Sequence, residues 1–230
     1  MNRIKVGLLS ILQAIILLLI ATKPAVAGDD AADAKKVVDD ALKTLENFVA
    51  DPEMKWFRHH MKQAQALFIA PEVLKAGFIF GGSGGTGVLL ARDKSTGAWS
   101  EPAFYTLGSV SFGLQIGAEA SEVALMVMTQ KGLDSMLATS AKLGADMTVA
   151  AGPVGAGAKA ATSDILSFSR SKGVYGGLNL EGSVMKVRES LNEAYYGKPV
   201  SPVDILITRN VSNPDAAPLV EAVAKVGSDG

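Results

Sequence analysis

Glycine is concentrated in one part of this chain: 19 of its 24 glycines lie between residues 75 and 189, among short apolar and aromatic segments without helical spacing. Each glycine in a helix interior costs about 1 kcal/mol relative to alanine, whereas among short strands glycine supplies turns, bulges and close backbone approach. The region therefore predicts a mainly antiparallel β core and argues against a helical bundle.

The first residues have the pattern of a secretory signal. Two basic residues precede an apolar run at 6–21, and the small residues Ala25 and Ala27 follow it. The apolar run is short for a membrane span of about 20 residues. We therefore predict a signal peptide at 1–27, cleaved after Ala27, and a periplasmic or secreted protein. An uncleaved membrane anchor is the alternative.

Composition narrows the possible partners. The whole chain has 22 − 23 = −1 net charge, and without residues 1–27, which hold three basic and no acidic groups, it has 19 − 23 = −4. Such a charge does not favour nucleic acid. The chain has no cysteine, so it has no disulfide and no thiolate metal site. His59 and His60 are adjacent and diverge by about 100° on a helix, so no metal or cofactor is expected.

Two helices are predicted before the glycine-rich region. Apolar residues recur at helical spacing between residues 30 and 50, and this amphipathic helix needs a partner surface. Asp51 can then act as an N-cap and Pro52 fits the first helical position. A second helix is therefore predicted from Pro52 to about Leu67.

The second helix separates its residues by chemistry. Its basic face comprises Lys55, Arg58, His59 and Lys62, and the aromatic residues beside that face are Trp56 and Phe57. A helix of this type suits an anionic membrane surface, where rings enter the headgroup region and cations meet phosphate. The alternative is a surface helix that packs on the core and leaves its charged side in solvent.

Residues 81–85 match the G-x-S-x-G pattern of a nucleophile elbow, but the chain lacks the partners that the elbow requires. Both histidines precede Ser83, whereas in elbow hydrolases the base histidine follows the serine. The segment also lacks the Gly-Lys-Ser/Thr ending of a phosphate-binding P-loop. A flexible glycine turn is the preferred interpretation.

Three glutamates keep a catalytic alternative open. Glu119, Glu122 and Glu181 lie in apolar, glycine-rich surroundings that could raise a carboxyl pKa. Most glutamates in such positions are strand-edge or cap residues. We therefore predict no enzymatic activity and retain a glutamate-based hydrolase as the less favoured hypothesis.

Several ordered blocks resemble the SYLF-domain family, over most of residues 35–208. The blocks are 75–78, 85–92, 99–102, 112–119, 150–155, 171–173, 180–183 and 196–197. The resemblance implies a non-catalytic protein that binds phosphoinositide or other acidic lipid, aided by an amphipathic basic helix before the glycine-rich core. In this chain that helix falls on residues 55–62.

Actin is not expected as a partner. Actin binding belongs to cytoplasmic eukaryotic members of the family, often joined to an SH3 domain. In this sequence we recognise no such domain, and the predicted signal peptide indicates export. An exported member would instead meet the anionic phospholipids of a bacterial envelope.

The sequence therefore predicts an α+β protein: an N-terminal helical segment at 28–70, a mainly antiparallel glycine-rich core at 71–210, and a tail at 211–230. Short C-terminal helices are expected near 185–194 and 218–225.

The predicted function is reversible binding to anionic phospholipid membrane. Lys55, Arg58 and Lys62 would supply attraction, and Trp56 and Phe57 would insert. A homo-oligomer presenting several such helices would bind more tightly. The alternatives are an envelope scaffold without a lipid role and an apolar cargo held in the β core.

Overall fold

A long helix and a broken helical segment precede the sheet. In the computed structural model, which describes residues 27–77, 80–112, 117–152, 162–171, 174–177 and 180–229, α1 spans Ala27–Ala50. Asp51 accepts a hydrogen bond from the backbone amide of Glu53 at 2.7 Å and so begins a 3-10 turn, Pro52–Met54. Helix α2, Lys55–His60, and a second 3-10 turn, Met61–Gln63, follow directly.

Nine strands form one sheet in the described part of the chain. They are β1 (Ala66–Gly77), β2 (Phe80–Ala91), β3 (Ala103–Phe112), β4 (Gly117–Val127), β5 (Ser140–Lys142), β6 (Val149–Ala151), β7 (Ile165–Ser171), β8 (Val174–Gly177) and β9 (Val184–Val187). The order is β5-β9-β3-β2-β1-β4-β7-β6, with β8 also paired to β7. Only β6 and β7 run parallel among these described pairs, so the predicted antiparallel α+β fold is confirmed.

The remaining helices lie between strands and at the C-terminal end. They are α3 (Gln130–Met136), α4 (Glu189–Tyr196), α5 (Pro202–Leu206) and α6 (Ala217–Asp229), the last preceded by a 3-10 turn, Pro214–Ala216. Gly197 ends α4 in the left-handed conformation, φ 68°, which favours glycine. Among the described residues, no helix combines the length and hydrophobicity needed to cross a bilayer.

Each face of the sheet carries its own core, because successive strand residues point to opposite sides. Leu67 and Ile69 of β1 face α1, α2, α4 and α6. Phe68 and Ala70 face the other way, towards α3 and α5. The helical face therefore places α1, α2 and α6 side by side on the outside of the sheet, where they form the surface described below.

A bulge in β1 explains the glycines of β2. Register with both neighbouring strands shifts by one residue around Pro71 and Glu72, and proline cannot donate a ladder hydrogen bond. A Cβ on Gly85 would collide with the carbonyl oxygen of Glu72, and one on Gly87 would lie 2.8 Å from the Cα of Ala70. These two glycines therefore allow the bulged strand β1 to lie close to β2.

Residues 81–85 are therefore part of a strand, and the predicted flexible turn is wrong. Ser83 faces Ser109 of β3, and their hydroxyl oxygens are 2.8 Å apart. Neither a nucleophile elbow nor a phosphate-binding loop forms in this strand.

Two helix boundaries also differ from the prediction. The helical segment that begins at Pro52 ends at Gln63, because β1 begins at Ala66 and Leu67 already pairs with Leu90 of β2. The helix expected at 185–194 begins only at Glu189, after the strand Val184–Val187. The predicted signal peptide lies outside the described residues, apart from Ala27.

Asp164 connects α3 to the sheet and gives stability a dependence on pH. Its side chain accepts hydrogen bonds from the Thr129 hydroxyl at 2.6 Å and the Thr148 amide at 2.8 Å, and Lys131 lies 3.5 Å away. Burial alone raises the pKa of Asp164, but these donors and the lysine outweigh it and lower the pKa to about 2.

We expect Asp164→Asn to flatten the acid limb of the stability profile. The folded pKa lies below the unfolded value of about 3.9, so the stabilisation is complete above that value and is lost as pH falls towards about 2. The size of this stabilisation is about 2 to 3 kcal/mol. Urea unfolding at several pH values measures it, with the exposed Asp33→Asn as control. Identical acid limbs in wild type and Asp164→Asn would contradict the assignment.

Candidate lipid-binding groove

The aromatic side of α2 is directed into the protein. Phe57 is fully buried, 5.8 Å from the ring centroid of Phe48 and edge-on to Phe168 at 5.2 Å. A side chain in this position has no surface to offer to lipid. The predicted insertion role of Phe57 is therefore corrected: it is a core residue that fixes α2 on the sheet.

Trp56 is only partly buried, and its ring contacts two other rings. It stacks on His60 with 3.6 Å between centroids and lies 5.9 Å from Phe168. The His60 ring is itself fixed, because its Nδ1 donates to the Trp56 carbonyl oxygen at 2.9 Å. The stacked Trp56–His60 pair therefore lies at the partly exposed surface of α2.

Arg58 connects α2 to the end of α1. Its Nη1 donates to the carbonyl oxygens of Val49 at 2.8 Å and Asp51 at 2.6 Å. Carbonyls at a helix C-terminus have no partner within the helix, and a cation there is favourable. Arg58 therefore has a structural task in addition to the charge it presents at the partly exposed surface.

Three side chains of α2 line a groove together with the C-terminal helix α6. Lys55, Arg58 and His59 line a groove of about 490 Å³ between α1, α2 and α6, which we call the α1–α2–α6 groove. Lys225 of α6 faces the same space. Lys62 is exposed elsewhere on the segment, where its carbonyl oxygen accepts from Arg92.

The walls of the α1–α2–α6 groove differ in chemistry. The aliphatic lining comes from Leu45 and Val49 of α1 and from Ala222 and Val226 of α6. Three permanent cations and His59 lie beside this lining, against one carboxylate, that of Glu46. Within the described ranges, neither Lys55 nor Lys225 has a carboxylate at salt-bridge distance. Such a groove can accept a molecule with an anionic end and an apolar body.

Sequence reasoning did not find the α6 part of the groove. A helix was expected at 218–225, but no role was given to it. The signal was present, because Leu219, Ala222, Val223 and Val226 recur at helical spacing and Lys225 lies among them. The sequence gives no indication that this stripe packs beside α1 and α2, which precede it by about 160 residues or more.

Two of the three glutamates of the hydrolase hypothesis form structural contacts between elements of the fold. Glu122 accepts from Arg170 at 2.8 Å and from Asn47 at 3.1 Å, and Glu119 accepts from the Ser171 hydroxyl. These contacts tie β4 to β7 and to α1. In the described part of the chain, no cluster of three or more His, Asp or Glu side chains could hold a metal ion.

Comparison with known proteins gives the family. The family model described as "Las17-binding protein actin regulator" matches residues 108–226, just over half of the chain, and includes the α6 side of the groove. Protein YSC84 of Saccharomyces cerevisiae is 32% identical over 195 residues, which are 81% of this chain and 41% of that protein.

Other relatives have the same pattern. LAS seventeen-binding protein 3 of Saccharomyces cerevisiae is 34% identical over 69% of this chain and 36% of its own length. Human SH3 domain-containing YSC84-like protein 1 is 29% identical over 64% of this chain and 44% of its own length. The chain thus spans less than half of these relatives, and no solved structure is detectably similar to it. On the strength of the family match, this chain belongs to the Ysc84 family of SYLF-domain proteins.

Proposed function

We propose that the protein binds anionic lipid at the α1–α2–α6 groove and through it associates reversibly with anionic membrane, without catalysis. The observation that supports this most directly is the meeting of Lys55 and Lys225, from distant parts of the chain, beside an aliphatic lining. The predicted signal peptide would place this activity in the periplasm or outside the cell.

Electrostatics favour a local site over general attraction. Without residues 1–27 the chain carries a net charge of −4, which opposes an anionic surface as a whole. A basic group close to such a surface contributes about 1 kcal/mol, and the field falls off within a Debye length of about 10 Å. The grouped cations of the groove can therefore act locally while the acidic remainder of the protein lies further away.

We expect Lys55→Glu with Lys225→Glu to abolish most membrane binding. The double change removes two attractive charges and adds two repulsive ones, so affinity should fall at least about tenfold. Sedimentation with vesicles of phosphatidylglycerol and phosphatidylcholine measures it.

The matched control is Lys94→Glu with Lys198→Glu. Both lysines are exposed and lie outside the groove, and the net charge changes equally. Equal pelleting of the two variants would remove the groove from the mechanism. If wild type pelleted equally with pure phosphatidylcholine vesicles and with vesicles that contain phosphatidylglycerol, the proposed preference for anionic lipid would be wrong.

A protein-interaction role is the second candidate. It is supported by the relatives' names, since LAS seventeen-binding protein 3 is named for binding another protein. A wild-type protein that does not pellet with anionic vesicles would favour an envelope scaffold instead of a lipid binder.

A further inference from the structure

The lining of the α1–α2–α6 groove has two aliphatic rows. Leu45 and Val49 are one turn apart on α1, and Ala222 and Val226 are one turn apart on α6. Residues four apart lie on one face of a helix, so each pair forms a row along its helix axis. Leu45 is buried, whereas Val49, Ala222 and Val226 remain partly exposed. The two rows form an apolar floor with accessible surface.

The third wall is cationic. Lys55 and His59 are also four residues apart and line the groove from α2, with Arg58 beside them. The groove is therefore amphipathic. Helix α2 presents Lys55, Arg58 and His59, whereas α1 and α6 present the two aliphatic rows, together with the Glu46 carboxylate and the Lys225 ammonium group. A ligand that consisted of a lipid headgroup alone would contact the charged side chains and leave the aliphatic rows of α1 and α6 exposed to water.

Resting on the proposed function, we propose that the α1–α2–α6 groove holds the acyl chain of a single anionic lipid molecule, with the headgroup at Lys55, Arg58 and Lys225. The volume of about 490 Å³ lies within the range of about 300 to 1,000 Å³ typical of small-molecule sites.

The position of Phe57 supports the same assignment. Amphipathic helices at a membrane surface bury Trp, Phe or Leu side chains in the bilayer, but Phe57 is enclosed by Phe48 and Phe168. Trp56 is stacked on His60. Besides the partly exposed Trp56, the aliphatic rows supply accessible apolar surface next to the cations, and they line a groove that an acyl chain can enter.

The test uses soluble single-chain probes below their micellar concentration. By calorimetric titration, palmitoyl lysophosphatidate should bind at least about a hundredfold more tightly than glycerol 3-phosphate, which has the head without the chain. It should also bind at least about tenfold more tightly than palmitoyl lysophosphatidylcholine, which has the chain with a zwitterionic head. Equal binding of glycerol 3-phosphate and lysophosphatidate would overturn the proposal.

Two variants place the probe in the groove. Ala222→Trp fills the space between the aliphatic rows, and Val226→Gln makes the floor polar with little change in size. Both should weaken lysophosphatidate binding at least about tenfold. Ala224→Trp, exposed and about 200° away around α6, should bind as wild type does. Unchanged binding in both Ala222→Trp and Val226→Gln would contradict the assignment.

The outcomes separate this inference from the proposed function. If wild type pellets with anionic vesicles but does not bind soluble lysophosphatidate, the acyl-chain site is wrong and the proposed function stands. If it does neither, the acyl-chain site and the proposed function are both wrong. Circular dichroism of each variant confirms that the helices and the sheet are retained.

Discussion

Gly87→Ala should destabilise the protein by about 3 kcal/mol or more, because the added methyl group has no room in the sheet. The new Cβ would lie 2.6 Å from the Phe68 ring and 2.8 Å from the Cα of Ala70, and it would also collide with the carbonyl oxygen of Ile69. Two of these obstacles are backbone atoms of the central strand, so relief requires β1 to move. Urea unfolding monitored by circular dichroism measures the loss.

Gly84→Ala in the same strand is the matched control. Its Cβ would meet only the carbonyl oxygen of Leu107, at 3.8 Å, which is ordinary van der Waals contact. Alanine also restricts the unfolded chain, so this change should be neutral or slightly stabilising, within about 0.5 kcal/mol. If Gly87→Ala and Gly84→Ala lower the unfolding free energy equally, the close contact at the bulge is not the reason that β2 requires glycine at residue 87.

The glycine pattern shows which part of the fold could be read from the sequence. Density and local composition were sufficient to predict an antiparallel core, because strands tolerate glycines that would break helices. The role of individual glycines could not be read. Gly85 and Gly87 are required by the bulge at Pro71 and Glu72 on the neighbouring strand, and this contact depends on register.

The helical segment after Pro52 shows a similar limit. Capping at Asp51 and the basic spacing of Lys55 to Lys62 are local properties, and the helix begins where they predict. The end of the segment is set by tertiary structure, since residues from Ala66 onwards complete the pairing of β2 and β4.

For the candidate groove, the sequence predicted the α2 wall and missed the α6 wall. Lys55, Arg58 and His59 form a pattern within a few residues of one another, whereas Lys225 joins them only through packing of α6 on α1 and α2. Periodicity also could not decide which way the aromatic stripe faces. An apolar stripe on a short helix can pack on a protein core or on a membrane. In this protein Phe57 and Met61 pack in the core.

Phe57→Ala should therefore cost about 3 to 5 kcal/mol in unfolding free energy, the range for removing a buried aromatic ring. The ring is fully buried and packs between Phe48 of α1 and Phe168 of β7, so its removal leaves a cavity where α2 joins the sheet. In a Trp99→Phe background, where Trp56 is the single tryptophan, fluorescence gives a local probe of unfolding, because Trp56 packs on the same Phe168.

The control on the same helix is His59→Ala, which lies on the exposed side and should change stability by no more than about 0.5 kcal/mol. Measuring vesicle binding in parallel distinguishes a core residue from a membrane anchor. If Phe57 is a core residue, Phe57→Ala lowers the unfolding free energy, and the variant binds vesicles again under conditions in which it is folded. A Phe57→Ala protein with wild-type stability and lost pelleting would instead show that the ring reaches lipid, and that α2 rotates out of the core when it meets a membrane.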